Sequence, residues 1–281
     1  MYGKVLVGYE DTERGREALA LGQILANAAN AVLRIATVTH DGGTELAALA
    51  RSEGADLIVI GSSRRGAVSR VVPGSTVEHL LGDASCLVAV APPGFGRVVD
   101  GGSTWRPLAG DGDDTGMRVI GVGFDSSAAS RKALDLAAGL AISNGATLRV
   151  YAVARKYGHV PGDGAGGQSP GVPSEAEALR ERLHRTVAEL PAETRALPVF
   201  LRGVPTTELI HAVDYGVDLL VLGTRPGGPL RRALHGSVSA AVLQEVRCPV
   251  LISPSGVDST GGPDEDLEDA FAALTADVSA D

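Results

Sequence analysis

Residues 223–237, GTRPGGPLRRALHGS, gather the residue types that hold an anion: glycines, three arginines and a closing Gly-Ser pair. The stretch stands directly behind the apolar run DLLVL (218–222) and directly ahead of SVSAAVLQEV (237–246), which has helical character. A strand that ends in a glycine-rich loop and runs into a helix start presents backbone N–H groups and a positive dipole end, which together favour a bound phosphate. Ser237 could give its hydroxyl and N–H to that phosphate, and Arg225, Arg231 and Arg232 could neutralise its charge. The same architecture occurs earlier: GSSRRGAVSRVVPGS (61–75) follows DLIVI, with the first glycine and the final Gly-Ser at equal spacing and three arginines between them. The unit is present twice.

The spacing resembles the Gly-x2-Gly-x9-Gly-Ser loop of the universal stress protein family, and the chain resembles a tandem member of it. That resemblance implies small cytoplasmic α/β domains with parallel strand order 3-2-1-4-5, many binding ATP through this loop and others binding none. Both copies depart from the pattern at the second glycine, with Arg64 in one and Pro226 in the other. A proline has no N–H to offer there, although Gly227 and Gly228 follow at once and could restore a close approach.

The elements that must position these loops follow from hydrophobic periodicity. In the first copy, strand KVLVG (4–8) precedes a helix over 13–28, strand AVLRIATVT (31–39), a helix over 44–53 and the buried strand DLIVI. In the second, RVIGVGF (118–124) precedes a helix over 128–143 and strand TLRVYAV (147–153). Glu10 and Asp125 correspond at an offset of 115, as do Arg34 and Arg149, whereas Gly61 and Gly223 correspond at 162. The second copy thus holds 47 extra residues: a Gly/Pro stretch (158–173), a helix over 174–190 opened by a Ser-x-x-Glu capping pattern, and strand PVFLR. The expected fold is therefore α/β, two tandem doubly wound parallel-sheet domains, the first truncated by one helix and one strand to order 2-1-4-5. The exposed side of the first domain is expected to be covered by the second, by the linker or by a partner chain. Boundaries fall at 1–93, a Gly/Asp-rich linker at 94–116, 117–254, and an acidic tail at 255–281. Trp105 in the linker is read as a packing anchor.

In a doubly wound sheet the ligand crevice opens where strand order reverses, here between strands 1 and 4. In the second copy this brings Gly123, Phe124 and Asp125 at the end of strand 1 toward Gly223, Thr224, Arg225, Gly227, Gly236, Ser237 and Val238 of the loop. The resemblance implies that Asp125 lies near an adenine, Val153 near base or ribose, and the loop around ribose and phosphates, with Gly203 matching the family glycine before the third helix. ATP is thus the expected cofactor, in the second domain only. The first copy carries Glu10 for the aspartate, one methylene longer, and Arg64 for the glycine, and is expected to be a degenerate structural partner. The alternative is a ligand-free interaction module in which both loops serve only as turns.

No catalytic set stands out, so an enzyme is not expected beyond weak incidental ATP hydrolysis. Gly228 is followed by Pro229, which excludes a P-loop, and GVGFDSS lacks the third glycine of a dinucleotide fingerprint. His79, His211 and His235 stand singly, without the acid and serine spacing of a hydrolase.

At 281 residues and 44% apolar, the chain can bury two Ala/Val/Leu cores. It shows no signal segment and no apolar run long enough for a bilayer, so a cytoplasmic, membrane-free protein is expected. Cys86 and Cys248 precede equivalent apolar runs and are read as buried structural thiols. The net charge of −9 is concentrated in the tail: eight acidic residues follow Gly256 and no Lys or Arg follows Arg247. The body is near neutral, which argues against a nucleic-acid surface. Within the tail, DEDLEDAFAAL (264–274) has acidic residues in its first turn and Leu267, Phe271 and Leu274 at helical spacing. It is read either as an amphipathic helix that docks on the body or a partner, or as a solvated tail. The two copies are expected to pair within the chain through LVAVA and PVLIS, much as separate family domains pair through their last strands. A homodimer or a protein partner at the tail is the further expectation.

Overall fold

A computed structural model describes residues 2–38, 42–62, 77, 80, 81, 86–96, 98, 99, 102, 103, 117–155, 174–214, 216–224 and 238–254. Arg225, Gly227, Gly236, Ser237, most of both glycine loops, Trp105 and the tail lie outside the described residues.

The strands are β1 (Lys4–Tyr9), β2 (Val32–Thr37), β3 (Leu57–Gly61), β4 (Leu87–Ala91), a two-residue hairpin of β5 (Val98–Val99) and β6 (Gly102–Ser103), β7 (Val119–Gly123), β8 (Thr147–Arg155), β9 (Ala196–Gly203), β10 (Leu219–Gly223) and β11 (Val250–Ser253). The helices are α1 (Glu13–Ala29), α2 (Gly43–Glu53), α3 (Ala128–Asn144), α4 (Glu175–Ala188), α5 (Pro205–Asp214) and α6 (Val238–Glu245). Local signals set their ends. Thr12 and Ser127 cap α1 and α3 by accepting from the N–H groups of Gly15 and Ser130, and both helices stop at left-handed residues, Asn30 and Gly145. Ser174 and Glu177 close a reciprocal capping box on α4.

Nine strands form one sheet in the order β2-β1-β3-β4-β11-β10-β7-β8-β9. The first half supplies 2-1-4-5 and the second half the complete 3-2-1-4-5, each internally parallel. The halves meet through one antiparallel seam, β4 on β11, with Val250 opposite Val90, Leu251 opposite Ala89 and Ile252 opposite Val88. Two cores follow, one per sheet face. The first lies under α1, α3 and α4 and joins Val5, Leu21, Val59 and Leu25 to Ile120, Leu140, Leu183 and Leu251. The second lies under α2, α5 and α6 and joins Leu6, Leu46 and Val88 to Leu220, Val242 and Ile252. Each core runs through both halves, and α1 packs against α3 across the seam.

A carboxylate clamp recurs in each half. Asp56 Oδ2 accepts from the N–H groups of Gly3 and Lys4 at 2.8 and 2.9 Å; Asp218 Oδ2 accepts from those of Arg118 and Val119 at the same two distances. In both cases the residue that opens the fourth strand ties down the start of the first, satisfying N–H groups at the sheet end. Both cysteines are buried and free. Burial pushes the Cys86 thiol up to about 11 and that of Cys248 higher still.

Of the covers expected for the outer side of the first half, the second half is excluded, because β2 is the edge strand on the far side of the sheet from β11. Val32 and Ile35 there are 59% and 55% exposed. The segment that composition marks as a linker begins inside the core: Phe95 is buried, and Gly94 donates its N–H to the buried Glu17 carboxylate at 2.6 Å.

Candidate functional site

The order reverses in the second half between β7 and β10, and a cleft of about 210 Å³ opens there. Its walls are apolar: Phe124 and Leu222 from the central strands, Tyr151 and Val153 from β8, Leu209 from α5 and Val238 from α6. Its rim is polar: Asp125, Ser127 and Ser130 at the head of α3, Arg155 at the end of β8, and Ser239. Burial raises the Tyr151 phenol above its usual range, with Arg149 beside it pulling the other way, so the ring is neutral at ordinary pH.

The backbone after β7 aims the aspartate. Phe124 donates its N–H to Tyr151 O at 2.8 Å, which continues the sheet ladder one residue past the strand. Ser126 then takes a left-handed φ of 68°, unusual for a residue with a Cβ, and the chain turns into α3. Asp125 is left exposed at the mouth; its Oδ1 accepts from Ser127 N–H at 3.0 Å and its own N–H donates to Ser130 Oγ at 3.3 Å. The aspartate is therefore held by the helix cap beside the cleft.

Of the residues expected from sequence, Gly123, Phe124, Asp125, Val153, Gly223 and Val238 come together around this cleft. Thr224 does not line it: the residue is buried, and its N–H and hydroxyl both donate to Ser253 O, at 3.0 and 3.4 Å. Gly203 is likewise outside the lining; a Cβ there would meet only the mobile end of the Glu208 side chain, which can turn aside. Gly223 has a second role that spacing does not reveal. A Cβ on it would stand 2.2 Å from Ala129 O in the first turn of α3. Gly61, its counterpart, would place a Cβ 2.2 Å from Arg14 O in the first turn of α1. The first loop glycine is thus required by helix-on-strand contact in both halves, whether or not a ligand binds. Tyr151, Leu209, Arg155, Ser127 and Ser130 are lining residues that motif reasoning missed. The alternation of TLRVYAVAR could have indicated Tyr151 and Arg155.

In the first half a leucine of α2 packs on the strand tip that matches Gly123. Leu46 of α2, 1% exposed, lies over the tip of β1, with its methyl carbons 3.0 and 3.2 Å from where a Cβ on Gly8 would stand. The Glu10 carboxylate is paired with Arg14 at 3.2 Å. Among the described residues, no group of three or more His, Cys, Asp or Glu could hold a metal ion, and no helix is long and apolar enough to cross a membrane.

Comparison with known proteins bears on both halves. The profile described as "Universal stress protein family" matches residues 35–92 and 116–254. A universal stress protein of Mycobacterium tuberculosis is 30% identical over 203 residues, covering 72% of this chain, and the chain spans 63% of that relative's length. A universal stress protein of Bacillus subtilis is 33% identical over 144 residues, 47% of this chain and 95% of its own. Among solved structures, a functionally unknown protein of Pseudomonas aeruginosa superposes with a TM-score of 0.61 at 16% identity, covering 98% of each chain. A universal stress protein of Archaeoglobus fulgidus gives 0.59 at 15% identity, covering 89% of this chain and 96% of its own. At that identity the likeness is one of fold.

Proposed function

The chain belongs to the universal stress protein family, and from that premise we propose that it is a cytoplasmic regulatory protein binding an adenine nucleotide, ATP or AMP, in its second half alone. The observation that carries this reading is the contrast between the halves. Beyond the first strand of the second half lies an apolar cleft rimmed by Asp125, Ser127 and Arg155, whereas in the first half the buried Leu46 packs on Gly8 at the matching strand tip. A cleft of about 210 Å³ falls below the roughly 300–1,000 Å³ of sites for drug-sized ligands, so it suits the base of a nucleotide. The slot between Tyr151, Val153 and Leu209 would hold the flat adenine, and the Asp125 carboxylate could accept from its amino group. Ribose and phosphates would then extend toward Gly223, Val238 and the loop between them. The role is binding without turnover, and the first half, joined through the β4–β11 seam as a pseudo-dimer mate, is a scaffold.

Titration calorimetry of the purified protein with ATP, ADP and AMP tests the proposal. Asp125→Ala and Gly236→Val should abolish the heat seen with the wild type; an athermal titration at high protein concentration for all three nucleotides, confirmed by equilibrium dialysis, removes the reading. The packing of Gly223 against Ala129 and the inward turn of Thr224 favour the rival, a ligand-free interaction module, because they give these loop residues a purely structural purpose.

A further inference from the structure

The truncation of the first half leaves a face of β2 without the helix that its counterpart has. In the second half, Leu148 and Val150 of β8 are completely buried beneath α4, whose Leu183 is itself completely buried. Their counterparts at an offset of 115 are Leu33 and Ile35. Leu33 is only partly buried and Ile35 is 55% exposed, beside the partly buried Ile24 and Ala28 of α1. Residues 264–274 repeat in sequence the design of α4. That helix opens on Glu175 and Glu177 and packs Leu179, Leu183 and Val187; residues 264–274 open on Asp264, Glu265 and Asp266 and space Leu267, Phe271 and Leu274 along one helical side.

We propose that residues 264–274 seat as a helix on the exposed face of β2 beside α1, over Leu33 and Ile35, in the place that α4 occupies in the second half. Reach permits it. β11 ends at Ser253, and β2 is four strand positions away, about 19 Å at roughly 4.8 Å per strand. The stretch from residue 255 to 263 spans about 30 Å when extended at roughly 3.3 Å per residue. Charge permits it too. Residues 264–274 carry five carboxylates, and from Ala18 to Val38 the only charged residue is the cation Arg34, so neither β2 nor the part of α1 beside it presents a like charge. The seated helix would remove Ile35 from water and leave its carboxylates outward.

Cysteine pairs in the full chain test the seat. Ile35→Cys with Phe271→Cys, treated with a short bis-maleimide, should give an intrachain product at least tenfold faster than Leu197→Cys with Phe271→Cys. Leu197 is 52% exposed on β9, the opposite edge, and the native Cys86 and Cys248 are buried. Adding Leu267→Asp should bring the first pair down to the control rate. In a second measurement, removing residues 255–281 from the Ile35→Cys protein should raise its maleimide reactivity at least tenfold. Equal rates for the two pairs, or unchanged reactivity on removing the tail, would show a tail that prefers no face and would overturn the proposal. A product formed only between chains would overturn it in favour of a second copy on β2.

Discussion

Adding a single methyl group at Gly223 sets the structural and ligand-binding roles of the glycine loop against each other. In Gly223→Ala the new carbon would stand 2.2 Å from Ala129 O and 2.5 Å from Ala129 C, both backbone atoms that no rotamer change can move aside. The end of β10 and the first turn of α3 would have to separate by about 0.8 Å to bring the oxygen contact to 3.0 Å. Overpacking of this kind costs about 1–3 kcal/mol. The loss of glycine freedom in the unfolded chain returns about 0.4–1 kcal/mol, because Gly223 does not occupy a left-handed conformation. A net destabilisation of about 1–2 kcal/mol is expected, which lowers a urea midpoint by about 0.5–1 M at a slope of roughly 2 kcal/mol/M. Gly61→Ala meets Arg14 O at the same 2.2 Å and should lose a similar amount, although it lies in the half with no proposed ligand. Paired urea melts of the two variants, each followed by nucleotide titration, supply the readout. If Gly223→Ala melts like the wild type while losing only affinity, the contact with α3 is not what requires glycine there, and the argument fails.

Asp218→Ala removes the acceptor of two backbone N–H groups at a site 3% exposed, and should cost about 2–3 kcal/mol in a chemical melt. Ser174→Ala opens the capping box of α4 and should cost about 1 kcal/mol. Leu46→Ala empties a buried site over the tip of β1 and should cost about 2–5 kcal/mol, read from the same melts. Both thiols should resist a water-soluble thiol reagent in the native protein at pH 8 and react fully in guanidinium. Burial lifts Cys86 to about 11, so its reactive thiolate becomes the major form only above that pH; rapid native labelling near pH 8 would contradict its burial.

Much of the fold was legible because the repeat is written twice. The apolar runs DLIVI and DLLVL, the aspartate or glutamate after each first strand and the terminal LVAVA and PVLIS were enough to place the strands, whereas the seam between the last two followed from the family resemblance. Cleft residues next to those landmarks were legible too: Phe124, Asp125 and Gly223 follow from strand ends. What escaped depends on contact across the chain. Leu46 aligns with Glu208 in the repeat, and nothing local shows that a helix entered straight from β2 swings its leucine over Gly8. Phe95 was hidden by the glycines around it. The carboxylate clamp of Asp56 and Asp218 left a visible trace, an aspartate heading each buried run, yet its partners lie about a hundred residues away in the second half.

The two halves that meet at the antiparallel seam belong to one polypeptide, so their association is unimolecular. Dilution cannot part them, since a tether sets a local concentration in roughly the millimolar range. A protomer that never exchanges its mate escapes the demand that both mates be alike. One can lack an element that the other keeps, as the first half here lacks the counterparts of α4 and β9.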